Sequence, residues 1–128
     1  MIRVLLVDDQ TNVRRGLRMR LSLEPDLTVV GEAPDGETAL RLARLLNPNV
    51  VVMDIEMPGM NGIDCTRELI GERPDCAVVV LSLHDNTTNR VSARTAGASA
   101  FVAKHQVDTV LMDAIRGAAQ REAEHSTN

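Results

Sequence analysis

The sequence predicts a doubly wound α/β domain, a five-stranded parallel sheet with helices on both faces. Three observations predict it. Strand-like and helix-like segments alternate along the 128 residues. The strand-like runs, such as IRVLLV and VVVM, are almost continuously apolar, the pattern of strands buried on both faces. The chain is long enough for one ordinary domain and too short for two.

The elements follow in order. Residues 2–7 (IRVLLV) read as a buried strand rich in β-branched and apolar side chains. Residues 12–23 carry Val13, Leu17 and Leu21 at helical spacing, and Pro25-Asp26 breaks that helix. Residues 27–33 hold a second short strand around 28–30. Asp35 caps a helix over 37–46, which Asn47-Pro48 ends. Residues 50–53 form a third strand that runs into Asp54. The segment 57–62 (MPGMNG) is a loop by composition, and 63–70 a short helix. A fourth strand spans 77–81, and a fourth helix, 86–96, is stopped by Gly97. Residues 100–103 give the fifth strand and 107–119 the fifth helix. The domain is thus expected over 1–119. Residues 120–128 (QREAEHSTN) lack an apolar period and are expected to be a frayed end or the start of a linker.

Five such units suit the flavodoxin-like strand order 2-1-3-4-5. Right-handed crossovers then place helices one and five on one face and helices two, three and four on the other. Ligands of these sheets bind at the carboxyl ends of the strands, beside the reversal in strand order. The polar residues there are Asp8 and Asp9, Asp54, Ser82 and Lys104. The proposed order brings them into one pocket. Three carboxylates at close quarters raise one another's pKa. A divalent cation relieves this, and an oxygen-lined site suits Mg²⁺. Lys104 adds a point charge able to reach a phosphoryl oxygen, and Ser82 a short hydroxyl donor. Any one of these residues alone would read as a cap, a turn or a solvated side chain. Their combination at four successive strand ends carries the functional reading.

Composition narrows the field. The formal charge is −4, the apolar fraction 44% and the charged fraction 25%. General attraction to nucleic acid or membrane is therefore not expected, and no apolar run reaches membrane-spanning length. Phe101 is the only aromatic residue, which argues against base stacking and against flavin binding. Asp8 and Asp9 would also repel a cofactor phosphate from the first helix. Cys65 and Cys76 lack metal-ligand spacing and read as reduced thiols of a cytoplasmic protein. The run Arg14, Arg15, Arg18 and Arg20 reads as a solvated helix face, and Met53 as core.

The stretches LLVDD (5–9), VVMDIEMPGMNG (51–62), VVLS (79–82) and GASAFVAK (97–104) resemble the receiver domains of two-component response regulators. The likeness spans residues 1 to about 119. The HDN that follows Ser82-Leu83 is most similar to the NarL/FixJ type, whose output is a LuxR-type helix-turn-helix. The resemblance implies that Asp54 accepts a phosphoryl group from a sensor histidine kinase. It implies that Asp9, Asp54 and the backbone carbonyl of Glu56 bind Mg²⁺, with Asp8 acting mostly through water and pairing with Lys104. Lys104 and Ser82 would hold phosphoryl oxygens. Ser82 and Phe101 would form the switch that repacks the fourth helix, fifth strand and fifth helix to control an output domain. Such a protein is a phosphoacceptor that assists its own phosphotransfer and dephosphorylation, not an enzyme with a turned-over substrate. Phosphorylation-linked homodimers, and DNA contact only through a separate output domain, belong to the same picture.

Five positions qualify it. Phe101 stands where the family more often has Tyr. His105 follows Lys104 where the family usually has a cis proline, so a trans bond with an altered loop, or a strained bond, is expected. Leu83 replaces a small residue and would shield the phosphoryl group, slowing its hydrolysis. Glu56 and His84 flank the site and would tune the attacking water. The rival of an aspartate-nucleophile phosphatase lacks its second carboxylate, because Gln10 and Thr11 follow Asp8-Asp9. A receiver that works without phosphorylation stays open because of His105.

Overall fold

The computed structural model describes residues 1–106 and 108–126. The chain runs β1 (Ile2–Val7), α1 (Thr11–Leu21), β2 (Leu27–Ala33), α2 (Gly36–Leu46), β3 (Val50–Asp54), α3 (Gly62–Glu72), β4 (Ala77–Ser82), α4 (Thr87–Ala96), β5 (Ala100–Ala103) and α5 (Thr109–Ser126). A 3₁₀ turn, Lys104–Gln106, follows β5. All strand pairs are parallel, in the order β2-β1-β3-β4-β5, as the alternating pattern predicts.

Alternation within each strand divides the core. Val4, Leu6, Val50, Val52, Val79 and Leu81 face α1 and α5, where Leu17, Leu21, Leu111, Met112 and Ile115 meet them. Leu5, Val7, Val51, Met53, Val78 and Val80 face the other way, onto Leu40, Ala43, Cys65, Leu69 and Ala93 of α2, α3 and α4. Each central-strand side chain leaves water on one face or the other, so nearly every strand position must be apolar.

Local chemistry ends the helices. The Asp35 side chain accepts from the Thr38 N–H at 2.8 Å and caps α2. That bond also holds the Asp35 carboxyl below its ordinary range. Asp35→Ala should cost about 1 kcal/mol, read as a lower urea midpoint with an unchanged slope. An unchanged midpoint would remove the cap from the account. Asn61 and Asn86 cap α3 and α4 in the same way. At the other ends Asn47 (φ 50°) and Gly97 (φ 107°) adopt the left-handed conformation that terminates a helix.

Two expectations are corrected. Residues 120–126 continue α5 as helix instead of fraying after Ala119. Gln120, Arg121, Glu122 and Ala123 are good helix formers with no glycine or proline among them, and the Arg121 guanidinium donates to the Ser99 carbonyl at 3.1 Å. Helix propensity and polar contacts such as that of Arg121 accompany this extension, where no apolar stripe runs. Helix α1 stops at Leu21 rather than 23, where the Ser22 hydroxyl turns back to donate to the Met19 carbonyl. Val107, the expected start of the fifth helix, and residues 127 and 128 of the expected tail lie outside the described residues.

Candidate functional site: a carboxylate pocket at the strand ends

The pairing of β3 between β1 and β4 sets the site. Val7 lies opposite Met53, and Asp54 opposite Leu81. Asp8 therefore leaves β1 beside Asp54 at the end of β3, with Ser82 at the end of β4 one strand over. Asp8, Asp54 and Ser82 are buried, at 0%, 1% and 0% exposure, and Asp9 is exposed. One ligand oxygen from each of Asp8, Asp9 and Asp54 falls within 4.8 Å of the other two.

Lys104 enters from the end of β5. Its Nζ lies 3.0 Å from Asp54 Oδ1 and 3.3 Å from Asp8 Oδ2. The Lys104–His105 peptide is trans, since the described residues contain no cis bond, and the 3₁₀ turn replaces the loop a proline would shape. The lysine reaches the carboxylates nonetheless. Asp54 Oδ1 also accepts the Glu56 N–H at 3.2 Å. Asp54 Oδ2 is buried and has no hydrogen-bond partner.

Burial is the main force on Asp54. It raises the carboxyl from 3.8 to about 6, with the Asp8 charge adding to the rise and Lys104 opposing it. For Lys104, burial pulls the ammonium down, but its hydrogen bond to Asp54 and the charges of Asp54 and Asp8 outweigh this and raise it. The pocket is thus a cluster of two buried carboxylates and one exposed one, with Lys104 as the cation paired to both buried carboxylates among the described residues. Its donors are all hard oxygens, and one of them, Asp54 Oδ2, is desolvated without compensation. That donor set fits a small divalent cation such as Mg²⁺.

The flanking residues are placed as follows. The Ser82 hydroxyl donates to the Glu56 carboxylate and accepts the His84 N–H at 3.0 Å. His84 is exposed and meets Ser82 through its backbone, by this N–H and by its carbonyl, which lies 3.2 Å from the Ser82 hydroxyl. Leu83 is 64% exposed and lines a cavity of about 490 Å³ with Val13, Gly16, Leu17 and Lys104. Phe101 is half-buried against the α2–α3–α4 side of the core. The Arg90 guanidinium stands 4.7 Å from its ring centroid, while also gripping the Asp85 carboxylate.

Three contributors escaped the sequence reading. The Arg14 guanidinium donates to the Asp8 carbonyl at 2.5 Å and pairs with Glu32 at 3.2 Å. The arginine run is therefore not simply a solvated face, because Arg18 also pairs with Glu32, and Arg20 with Glu24. The partner Glu32 lies on β2, and only the sheet order brings it near. Gly62 is the second: a Cβ there would lie 2.0 Å from the Asp54 carbonyl oxygen. Its place in MPGMNG was a visible signal, read only as a loop. The third is Arg90, whose α4 position gave no hint of its stacking on β5.

The arrangement belongs to the class of doubly wound parallel domains with an acidic pocket at the strand carboxyl ends. The response regulator receiver domain matches residues 4–116, and the chain belongs to that family. The transcriptional regulatory protein LiaR of Bacillus subtilis is 40% identical over 122 residues, which cover 95% of this chain and 58% of LiaR. The nitrate/nitrite response regulator protein NarL of Escherichia coli is 35% identical over 119 residues, covering 93% of this chain and 55% of NarL. Both bear out the resemblance to the NarL/FixJ type. Among solved structures, the response regulator domain of Thermotoga maritima CheB matches with a TM-score of 0.87 at 34% identity, covering 94% of this chain and 97% of that domain. The chain spans about half the length of the curated relatives it matches. No helix among the described residues is long and apolar enough to cross a membrane.

Proposed function

We propose that the chain is a phosphorylation switch whose acceptor is Asp54. The observation that carries this reading is the state of that carboxylate: buried, 3.0 Å from Lys104, with Oδ2 unpartnered. An Asp54 oxygen forms the new O–P bond as the P–N bond of a kinase phosphohistidine breaks, and the departing imidazole takes up a proton. The carboxylate needs no general base, since it is ionised at neutral pH. Positioning and charge neutralisation do most of the work in such transfers. Lys104 pairs with the developing charge, and the Ser82 hydroxyl serves a phosphoryl oxygen. Asp9, Asp54 and the Glu56 carbonyl are the groups that would hold Mg²⁺, with Asp8 acting through water and Lys104. When bound, the cation supplies neutralisation of the phosphoryl oxygens.

The same reading covers the output. The phosphoryl group adds roughly −1.5 to −2 charges. Ser82 is drawn toward it, Phe101 turns inward, and the α4–β5–α5 face is repacked. That face then controls an output domain, a DNA-binding one as in the transcriptional regulators this chain is similar to. The partners are a sensor histidine kinase in the cytoplasm and, through phosphorylation, a second copy of the chain. Leu83, Glu56 and His84 set how fast water removes the phosphoryl group.

Stability measurements without any kinase test the site. Folding raises Asp54 from 3.8 to about 6, so the fold disfavours its ionised form. That penalty is absent below pH 3.8, grows between there and about 6, and is complete at pH 7. In chelator at pH 7, Asp54→Asn should therefore stabilise the protein by about 1–2 kcal/mol, the loss of pairing with Lys104 offsetting part of the gain. Saturating Mg²⁺ should raise the native Tm and leave the variant nearly unmoved. A destabilised variant, or equal responses to Mg²⁺, would contradict the assignment.

A further inference from the structure

The Glu56 carboxylate already occupies the Ser82 hydroxyl, which this reading gives to a phosphoryl oxygen, and the Leu83 backbone amide next to it. The Leu83 N–H donates to Glu56 Oε1 at 2.7 Å. The Ser82 hydroxyl lies 3.1 Å from Oε2 and 3.3 Å from Oε1. The Glu56 backbone meanwhile donates to Asp54. The residue thus bridges from the acceptor loop to the end of β4, half-buried, with its charge resting on one backbone amide and one hydroxyl. Two donors converging on a carboxylate form a receptor for any oxyanion of similar size.

We propose that Glu56 is an internal competitor for the phosphoryl group, holding the Ser82 hydroxyl and the Leu83 amide until the group on Asp54 displaces it. The proposal rests on the reading of Asp54 as phosphoacceptor. The carboxylate and a phosphoryl oxygen cannot both take the same two donors, and two anions at that distance repel. Phosphorylation must therefore break both Glu56 contacts. Glu56 is a specificity-determining residue for the transfer: it resists small anionic donors, which bring little binding energy. A kinase domain can offset that resistance from contacts elsewhere.

Displacement also reaches the β4–α4 loop. Ser82 Oγ accepts the His84 N–H at 3.0 Å, and the His84 carbonyl accepts from Asn89 of α4 at 2.9 Å. Moving Ser82 from Glu56 to the phosphoryl group therefore pulls on a chain of bonds that ends in α4. The carboxylate fixes the resting position of that chain.

The test compares the native protein with Glu56→Ala and Glu56→Gln. Phosphorylation by phosphoramidate at fixed Mg²⁺ is followed by intact mass, and the Leu83 amide resonance is recorded without metal or donor. Loss of a hydrogen-bonded charge predicts about tenfold faster labelling of Glu56→Ala. Glu56→Gln, whose amide oxygen still accepts, should fall between. The Leu83 amide resonance should move in Glu56→Ala, and should move in the native protein on phosphorylation. If the native protein labels but Glu56→Ala labels no faster, or its Leu83 resonance stays in place, the competitor role is overturned and the acceptor reading stands. If neither the native protein nor the variants label at Asp54, the acceptor reading fails and this inference falls with it.

Discussion

Lys104→Met should destabilise the protein by about 3–5 kcal/mol at pH 8 in chelator, the usual cost of stripping the counter-charge from a buried pair. Asp8 and Asp54 are 0% and 1% exposed, and Lys104 Nζ lies within 3.3 Å of an oxygen of each. Removing it leaves two desolvated carboxylates facing one another. The sign of the pH dependence follows. Lys104 opposes the rise of the Asp54 carboxyl, which already stands at about 6. Without the lysine that carboxyl moves further up, so protonation on acidification relieves the repulsion. The gap between native and variant should narrow as pH falls from 8 to 5. Mg²⁺ should narrow it too, because the cation replaces the missing charge. Urea titrations at the two pH values, with and without Mg²⁺, check all three statements. A variant as stable as the native chain at pH 8 would show that the lysine is not the counter-ion of the pocket.

Gly62→Ala should be as damaging by another mechanism. The added Cβ would lie 2.0 Å from the Asp54 carbonyl oxygen and 2.8 Å from the Ile55 Cα. Both are backbone atoms, so no side chain can swing aside. Either α3 retreats from β3 or the Asp54 backbone shifts. The Gly62 N–H donates to the Ile55 carbonyl at 3.0 Å, so retreat of α3 would strain the bond that ties the helix to the end of β3. A loss of about 3 kcal/mol or more is expected. The variant should also respond less to Mg²⁺, because the displaced backbone carries Asp54. Thermal unfolding at several Mg²⁺ concentrations reads both effects, and a native-like Tm would contradict the packing described for this glycine.

The legible parts of the fold share one property: their causes lie close together in the sequence. The Asp35 cap, the left-handed Asn47 and Gly97, and the apolar strand runs are visible because each acts within a few residues. The site residues were legible one step further on. Asp8, Asp54, Ser82 and Lys104 follow or end strands, and the strand order converts that local fact into proximity. What escaped depends on contacts between distant segments. Arg14 and Glu32 are 18 positions apart, and Leu83 and Glu56 are 27 apart. Nothing in the sequence near Glu56 shows that its carboxylate crosses to the end of β4. The continuation of α5 past Ala119 was missed for a different reason: good helix formers and polar contacts such as that of Arg121 carry it, where the reading sought an apolar period.

The central claim is that Asp54 takes the phosphoryl group. Intact mass after incubation with phosphoramidate and Mg²⁺ tests it most directly, beside Asp54→Asn and a chelator control. The account predicts one phosphoryl adduct on the native chain and none in either control. An adduct that persists in Asp54→Asn, or a chain that binds Mg²⁺ yet gains none either as the native protein or as Glu56→Ala, would contradict it.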